Sequence, residues 1–180
     1  KTDTNILILG ESGTGKGLLA AAIHAASSRS GAMLATVNCP SLPADQFEKE
    51  LFGQARDPQT GALANVAGRL SHAEAGTLFL DEIGDFPIEL QCKLLRFIEE
   101  KLYERVGDPV TCKADTRIVA SSNHDLQDMV EKGRFRLDLL YRLNVVSVTL
   151  PPLRDRPEDI EDLAQGFVER YAASYGLPAR

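Results

Sequence analysis

Short apolar runs of strand length alternate with stretches of helical spacing along almost the whole chain. The apolar runs predict strands at 6–9, 33–37, 77–80, 116–120 and 145–150. The stretches between and after them predict helices at 18–26, 46–52, 88–100, 126–132, 137–143 and 157–174. Continuous apolar runs are typical of strands that are buried on both faces. Their alternation with helices predicts an α/β fold, a parallel sheet with helices on both faces.

One segment, 54–71, does not follow this alternation. Its sequence, QARDPQTGALANVAGRLS, is rich in alanine, glycine and turn-forming residues and has no strong period. Loops of this length are usually functional or mobile. The segment is therefore predicted to be a long loop or a hairpin that projects from the sheet.

The first predicted strand runs into a glycine-rich turn and then into an alanine-rich helix. Backbone N–H groups in such a turn point to one place, where the helix N-terminus adds partial positive charge, so this order predicts a phosphate-binding P-loop. Lys16 is expected to reach the β- and γ-phosphates of a bound nucleotide. The predicted nucleotide contacts are Gly10, Glu11, Ser12, Gly13, Thr14, Gly15, Lys16, Gly17 and Leu18. A glycine-rich turn without a ligand is the alternative, because Gly17 stands where a Ser or Thr hydroxyl would hold Mg²⁺.

The predicted strand 77–80 leads into two carboxylates, Asp81 and Glu82. In a P-loop protein such a pair lies beside the phosphates, where the aspartate holds Mg²⁺ through water and the glutamate orients or deprotonates the attacking water. Asn123, which closes the strand RIVASSN, could reach the γ-phosphate or the same water. Together with the P-loop, these residues predict nucleotide hydrolysis. The alternatives are the start of a solvated loop for the acidic pair and an ordinary turn for Asn123.

Arg136 and Arg142 are two further candidates for the site. A spacing of six residues does not bring two side chains to one face of a helix. Both can therefore serve one site only if the helix begins at or after Arg136, or if the site faces the end of the helix. Surface ion pairs with Asp138 or Asp155 are the alternative.

Composition restricts the class of protein. With 180 residues, 43% of them hydrophobic, the chain is long enough for one soluble domain with a core. No apolar run approaches the ~18 residues of a membrane span, and a net charge of −6 argues against a DNA-binding surface in this segment. The three cysteines form no close pair in the sequence, so neither a disulfide framework nor a zinc site is expected. A reducing cytoplasm is the compartment that fits this pattern. Because the chain lacks an initiator methionine, we expect it to be a piece of a longer protein.

Several strings together resemble one family, the AAA+ ATPase domain of NtrC-type bacterial enhancer-binding proteins, which activate sigma-54 RNA polymerase. They are GESGTGK (10–16), VNC (37–39), ELFG (50–53), GTLFLDEIGD (76–85), LLRFIEE (94–100), RVGD (105–108), FRLDLLYRLNV (135–145) and LPPLRDR (150–156). The resemblance covers essentially the whole chain, and so many strings in the family's order are more specific than any one motif. Within this family, the details NCPSL, DEIGDFP and YERVGDPVT resemble AlgB-type response regulators.

The resemblance implies roles for the candidate residues around the phosphates. Residues 10–16 match the Walker A motif, in a family that often lacks the Ser or Thr after the lysine, and Asp81 and Glu82 match the Walker B pair. Asn38 matches the asparagine that restrains the catalytic glutamate until a partner is sensed. Asn123 matches sensor I, with a serine before it where threonine is commoner.

The resemblance also implies an assembly. Arg136 and Arg142 match arginine fingers, which act on the ATP of a neighbouring subunit, so the active form is expected to be a ring, typically a hexamer. Residues 1–152 are expected to form the AAA+ core, and 153–180 the start of a C-terminal helical lid that this chain does not complete. DNA is expected to bind a domain outside the chain.

The projecting loop departs from the family. The family carries GAFTGA there, and its phenylalanine contacts sigma-54, whereas the aligned residues here are Asp57-Pro58-Gln59-Thr60-Gly61-Ala62. Gln59 replaces the aromatic contact, and Pro58 restricts the backbone. Two hypotheses follow: a motor that remodels sigma-54 polymerase or another transcription complex, and a nucleotide-dependent assembly module that no longer engages sigma-54.

Overall fold

Five parallel strands form the central sheet in a computed structural model, which describes residues 3–39, 42–56 and 65–176. The strands of the described residues are β1 (Ile6–Leu9), β2 (Leu34–Asn38), β3 (Gly53–Gln54), β4 (Val66–Ala67), β5 (Thr77–Asp81), β6 (Leu102–Glu104), β7 (Thr111–Lys113), β8 (Arg117–Ser122) and β9 (Val146–Thr149). The sheet has the order β2-β5-β8-β1-β9, and every pairing in it is parallel. The five strands predicted from the apolar runs are confirmed, each within two residues of its predicted ends.

The three central strands of the sheet carry side chains into two cores. On β1, Leu7 lies in the larger core and Ile8 in the smaller one. On β5, Leu78 and Leu80 lie in the larger core, and Phe79 lies in the smaller one. Successive positions of these strands must therefore all be apolar, which is why they read as continuous apolar runs in the sequence.

Helices cover both faces of the sheet, as predicted. They are α1 (Lys16–Ala25), α2 (Ala44–Phe52), α3 (Arg69–His72), α4 (Gln91–Glu100), α5 (Leu126–Glu131), α6 (Leu137–Leu143) and α7 (Glu158–Tyr175). α1 contributes to the smaller core, whereas α2, α4, α5 and α6 contribute to the larger one. Three helix starts differ from the prediction by more than one residue: α1 and α2 each begin two residues earlier, at Lys16 and Ala44, and residues 88–90 form a 3₁₀ turn before α4.

The predicted projecting segment, 54–71, has a hairpin at its base. β3 and β4 pair antiparallel, with Gly53 opposite Ala67 and Gln54 opposite Val66. α3 lies inside the segment and was not predicted, because its four residues are too few to show a period and the burial of Leu70 stabilises it. A second antiparallel pair, β6 with β7, was not predicted either, because strands of three residues are also too short to show a period. The loop residues 57–62 lie outside the described residues.

α7 packs differently from the other long helices. It has 18 residues, and none of them is buried. Ile160, Leu163, Phe167 and Tyr171 are between 40% and 57% exposed on it. Its start after Pro157, with acidic residues in the first turn, agrees with the prediction. No helix in residues 3–39, 42–56 and 65–176 is long and apolar enough to cross a membrane.

We predict that Gly76→Ala destabilises the central sheet at the start of β5. A Cβ at Gly76 would lie 2.2 Å from the carbonyl oxygen of Met33, a main-chain atom that also accepts a hydrogen bond from Thr77. The backbone must shift to relieve this contact, at a cost of about 2 kcal/mol in the free energy of unfolding. Urea unfolding measures the change. Gly31→Ala is the matched control, because a Cβ there meets no atom within 4 Å. An equal effect of the two variants would contradict the prediction.

Candidate nucleotide-binding site

The turn between β1 and α1 has the backbone of an anion-binding loop. Gly13 and Gly15 have φ angles of 82° and 98°, which residues with a Cβ rarely adopt. A Cβ at either position would meet no atom within 4 Å. Glycine is therefore required here for backbone conformation and not for space. The loop leads directly into the N-terminus of α1 at Lys16, the positive end of the helix dipole.

The Lys16 ammonium is buried and has three acceptors. Its Nζ lies 3.0 Å from the carbonyl oxygen of Gly10, 3.1 Å from that of Glu11 and 2.9 Å from Glu82 Oε1. An ammonium group has three N–H donors, so these contacts use its full capacity. The Glu82 carboxylate balances the buried positive charge, without which the lysine would be costly to bury.

The acidic pair at the end of β5 is held from two sides. Glu82 follows Asp81 in the left-handed conformation, with φ 56° and ψ 57°. Its main-chain N–H donates to Ser121 Oγ at 3.0 Å, and the Ser121 hydroxyl donates to Asp81 Oδ1. The main-chain N–H of Asn123 donates to Glu82 Oε2 at 2.8 Å. The two carboxylate oxygens of Glu82 are thus bound by two different elements, the start of α1 and the turn after β8.

The structure puts both predicted asparagines near this acidic pair. Asn38 is the last residue of β2 and lies opposite Asp81 in the parallel register. Asn123 reaches Glu82 through its main-chain N–H, whereas the sequence suggested a role for its side chain. The hydroxyl of Ser122, the sensor I serine of the resemblance, is engaged with the main chain of His124. Ser121, which bonds directly to the acidic pair, was missed because nothing in the sequence distinguishes it from its neighbour.

The two predicted arginines lie at opposite ends of α6. Arg136 precedes the helix and Arg142 lies in its last turn, so the helix begins after Arg136, which is one of the two conditions under which both could serve one site. Arg136 pairs with Asp138 at 2.7 Å, and this hydrogen bond holds the pKa of the Asp138 carboxyl below its usual range. Arg142 pairs with Glu99 at 2.6 Å instead of with Asp155. Both arginines are partly exposed, and each has a carboxylate partner within the same chain.

Two pockets adjoin the P-loop. The first, of about 450 Å³, is lined by Ser12, Gly13, Gly15, Lys16, Gly17, Leu18, Asp81 and Glu82. Its main-chain N–H groups, lysine and carboxylates suit phosphates and a divalent cation. The second, of about 360 Å³, is mainly apolar. It is lined by Gly13, Thr14, Gly15, Leu18, Leu19, Leu150, Leu153, Arg156, Leu163 and Phe167. An apolar pocket of this kind suits a flat ring such as a nucleotide base.

Two arginines that sequence reasoning did not single out contact the P-loop. Arg154 pairs with Glu11 at 2.5 Å, and its hydrogen bonds hold the pKa of the Glu11 carboxyl below its usual range. Arg156 Nη2 donates to the carbonyl oxygen of Thr14 at 2.7 Å. Both belong to the string LPPLRDR, about 140 residues from the loop. Sequence separation of this size hides such contacts, which depend on the pairing of β9 with β1.

A divalent cation would depend on the phosphates for much of its coordination. In the described part of the chain, no group of three His, Cys, Asp or Glu residues could hold a metal ion. Asp81 lines the phosphate-side pocket as a carboxylate. Mg²⁺ keeps several waters and is commonly held by one or two carboxylates together with substrate phosphates. The donors present therefore fit Mg²⁺ that arrives with a nucleotide, but not a resident metal centre.

Residues 1–149 match the protein family described as the sigma-54 interaction domain. The chain belongs to this family. It is 62% identical over 179 residues to the alginate biosynthesis transcriptional regulatory protein AlgB of Pseudomonas aeruginosa, covering 99% of this chain and 40% of AlgB. NtrX of Brucella abortus, solved in complex with ATP, superposes with a TM-score of 0.91 at 40% identity, covering 99% of this chain and 38% of that one.

The fold of this sigma-54 interaction domain is that of a P-loop NTPase. The P-loop NTPase domain of the Escherichia coli sigma-54 transport activator superposes with a TM-score of 0.54 at 18% identity, covering 85% of this chain and 87% of that domain. This likeness concerns the fold alone. The chain spans about two fifths of the length of AlgB and of NtrX.

We predict that Cys39 resists alkylation in the folded protein. It is 1% exposed, and burial, reinforced by the charges of Asp81, Asp85 and Glu82, raises the pKa of its thiol. A buried, protonated thiol is a poor nucleophile. Iodoacetamide at pH 8, followed by peptide mass spectrometry, should label the exposed Cys92 first and Cys39 only after unfolding. Labelling of both thiols at one rate would show that the strand ends around Asp81 open readily.

Proposed function

We propose that this chain is an ATP-binding and ATP-hydrolysing AAA+ domain of a bacterial transcriptional regulator. One observation carries the proposal: Lys16, Asp81 and Glu82 converge at one pocket beside a loop with the backbone of an anion site. A phosphate chain, a cation and a water have their expected partners there. The apolar pocket on the other side of the loop would hold the base.

The roles of the side chains follow from their present contacts. Lys16 would bind the phosphates in place of Glu82, its ion-pair partner at 2.9 Å. Glu82, released from the lysine, would orient or deprotonate the attacking water, while Asp81 would hold Mg²⁺ through water. Bound Mg²⁺ would neutralise charge on the phosphates. Asn38, beside Asp81 on β2, and Asn123, bonded to Glu82, would set the position of that glutamate.

Assembly into a ring, typically a hexamer, belongs to the same proposal. Neither Arg136 nor Arg142 lines the pocket at its own P-loop. Both are exposed enough to reach another subunit, where a guanidinium group would stabilise charge on the transferred phosphoryl group. Their partners Asp138 and Glu99 would have to be exchanged for that phosphate. Residues 153–180 would begin a helical lid next to a core of residues 1–152.

The biological setting is proposed from the relatives. AlgB is named as a transcriptional regulatory protein, and HyfR of Escherichia coli, 51% identical over 172 residues, as a DNA-binding transcriptional activator. We propose that this domain acts in the cytoplasm within a response regulator. DNA would be bound by another domain of that protein, and sigma-54 polymerase would be the partner that the family description implies.

A second candidate function is favoured by the loop sequence. Asp57, Pro58 and Gln59 stand where the family has Gly, Ala and Phe. Loss of an aromatic anchor removes ~2 kcal/mol or more from an interface. A nucleotide-dependent assembly module, which forms a ring without engaging sigma-54, is therefore the alternative.

We predict that ATP turnover per subunit rises with the concentration of the full-length protein, because the arginines act on a neighbour's nucleotide. Glu82→Gln removes the carboxylate that activates water, so turnover should fall by about a hundredfold or more while ATP binding persists. Phosphate release and nucleotide binding are measured separately over a concentration series.

The matched control for this experiment is Glu131→Gln, which removes the same charge from an exposed residue at the end of α5 and should leave turnover unchanged. A concentration-independent rate would argue against action between subunits. ATP binding without turnover in the unaltered protein would overturn hydrolysis and favour the assembly module.

We predict that Gln59→Phe alone does not restore activation of sigma-54 polymerase, because Asp57 and Pro58 also depart from the family's loop. The triple variant D57G/P58A/Q59F recreates the family's loop and should activate. Both variants are compared in transcription from a sigma-54 promoter, with ATP turnover as the control for folding. Full activation by the single variant would refute the prediction, and activation by the unaltered protein would remove the case for the second candidate.

A further inference from the structure

Ser121 lies at the centre of the candidate site without lining its pocket. It is the fifth residue of β8, the strand between β1 and β5, and it is completely buried. The parallel register pairs Leu80 with Ala120, so Ser121 is beside the point where β5 ends at Asp81. A polar side chain buried here requires hydrogen-bond partners.

The Ser121 hydroxyl has two partners, and both belong to the acidic pair. It donates to Asp81 Oδ1 and accepts from the main-chain N–H of Glu82 at 3.0 Å. One oxygen atom therefore restrains the carboxylate of one residue and the backbone of the next. The second restraint acts on a residue in the left-handed conformation, with φ 56°. Such a conformation persists only where surrounding contacts hold it.

The neighbouring serine shows that this arrangement is specific to one position. Ser122 Oγ donates to the carbonyl oxygen of His124 and accepts from its main-chain N–H, both at 3.0 Å. Ser122 thus stabilises the turn after β8, whereas Ser121 stabilises the end of β5. Asn123, the residue that matches sensor I, follows the strand and contacts Glu82 through its main-chain N–H, whereas Ser121 contacts both residues of the acidic pair through its hydroxyl.

We propose that Ser121 is a positioning residue for the cation side of the nucleotide site. Its hydroxyl keeps in one orientation the Asp81 carboxylate, which would hold Mg²⁺ through water, and it holds the backbone of Glu82, the residue that would activate the attacking water. The inference rests on the proposed function and names a residue through which that function would work. Removal of a partner that orients a ligand typically costs 10–100-fold in metal affinity or activity.

Ser121→Ala removes both bonds, and the full-length protein provides two readouts. Mn²⁺ in place of Mg²⁺, titrated by electron paramagnetic resonance with a non-hydrolysable ATP analogue, should bind about tenfold more weakly. Affinity for the analogue in EDTA should stay within about twofold, because Ser121 does not line the pocket. In steady-state turnover, kcat should fall by about tenfold or more, with little change in the KM for ATP.

Ser27→Ala is the matched control. Ser27 is also buried, and its hydroxyl also donates one hydrogen bond, to the carbonyl oxygen of His24, and accepts one, from the main-chain N–H of Arg29. It lies beyond the C-terminal end of α1, away from the P-loop. The Ser27→Ala variant should lower the free energy of unfolding in urea and leave the affinity for Mn²⁺ unchanged.

The outcomes separate the two proposals. Unchanged Mn²⁺ affinity in Ser121→Ala would overturn the role of Ser121. An equal loss of Mn²⁺ affinity in Ser27→Ala would also overturn this role, because the effect would then reflect general stability. Loss of metal-free nucleotide binding in Ser121→Ala would overturn it for the same reason. Mn²⁺ and analogue binding without ATP turnover in the unaltered protein would overturn the proposed hydrolysis alone, and the Mn²⁺ titration would still decide the role of Ser121.

Discussion

The parallel pairing of β1, β8 and β5 is the constraint on which the candidate site depends. Parallel strands that share a sheet end at the same edge, so the P-loop after β1, the turn after β8 and the acidic pair after β5 meet there. The main-chain N–H of Gly10 donates to the carbonyl oxygen of Ser122 at 3.2 Å, so the end of β1 is bonded directly to the end of β8. A shift of one residue in either pairing would turn the polar strand ends away from one another.

Charge balance then determines the positions of the Lys16 and Glu82 side chains at this edge. Lys16 is buried, and it has an anion beside it because Glu82 turns towards it in the left-handed conformation. The lysine and the glutamate that would serve ATP hydrolysis are thus each other's partners. A phosphate that competes for the lysine would also free the glutamate, so binding and the chemistry would be linked through one ion pair. The two arginines at the ends of α6 show the same principle, because each is paired with a carboxylate of the same chain.

The P-loop is also in contact with the part of the chain that follows the sheet. Arg154 and Arg156 bind Glu11 and Thr14, and Leu163 and Phe167 of α7 line the apolar pocket beside them. None of the 18 residues of α7 is buried. A ligand between the loop and the helix would add contacts to both, which would couple nucleotide binding to the position of the helix.

By itself, the sequence determined the strands, the helices over both faces and the P-loop with its acidic pair. Each is local: apolar runs, helical spacing and glycine before lysine act within about 20 residues. It did not determine the role of Ser121, the ion pair of Arg142 with Glu99, or the arginine contacts on the P-loop. The two hairpins were too short to show a period. The other contacts join residues between 39 and 143 positions apart, and only the strand order and register of the folded sheet decide which of many serines and arginines meet.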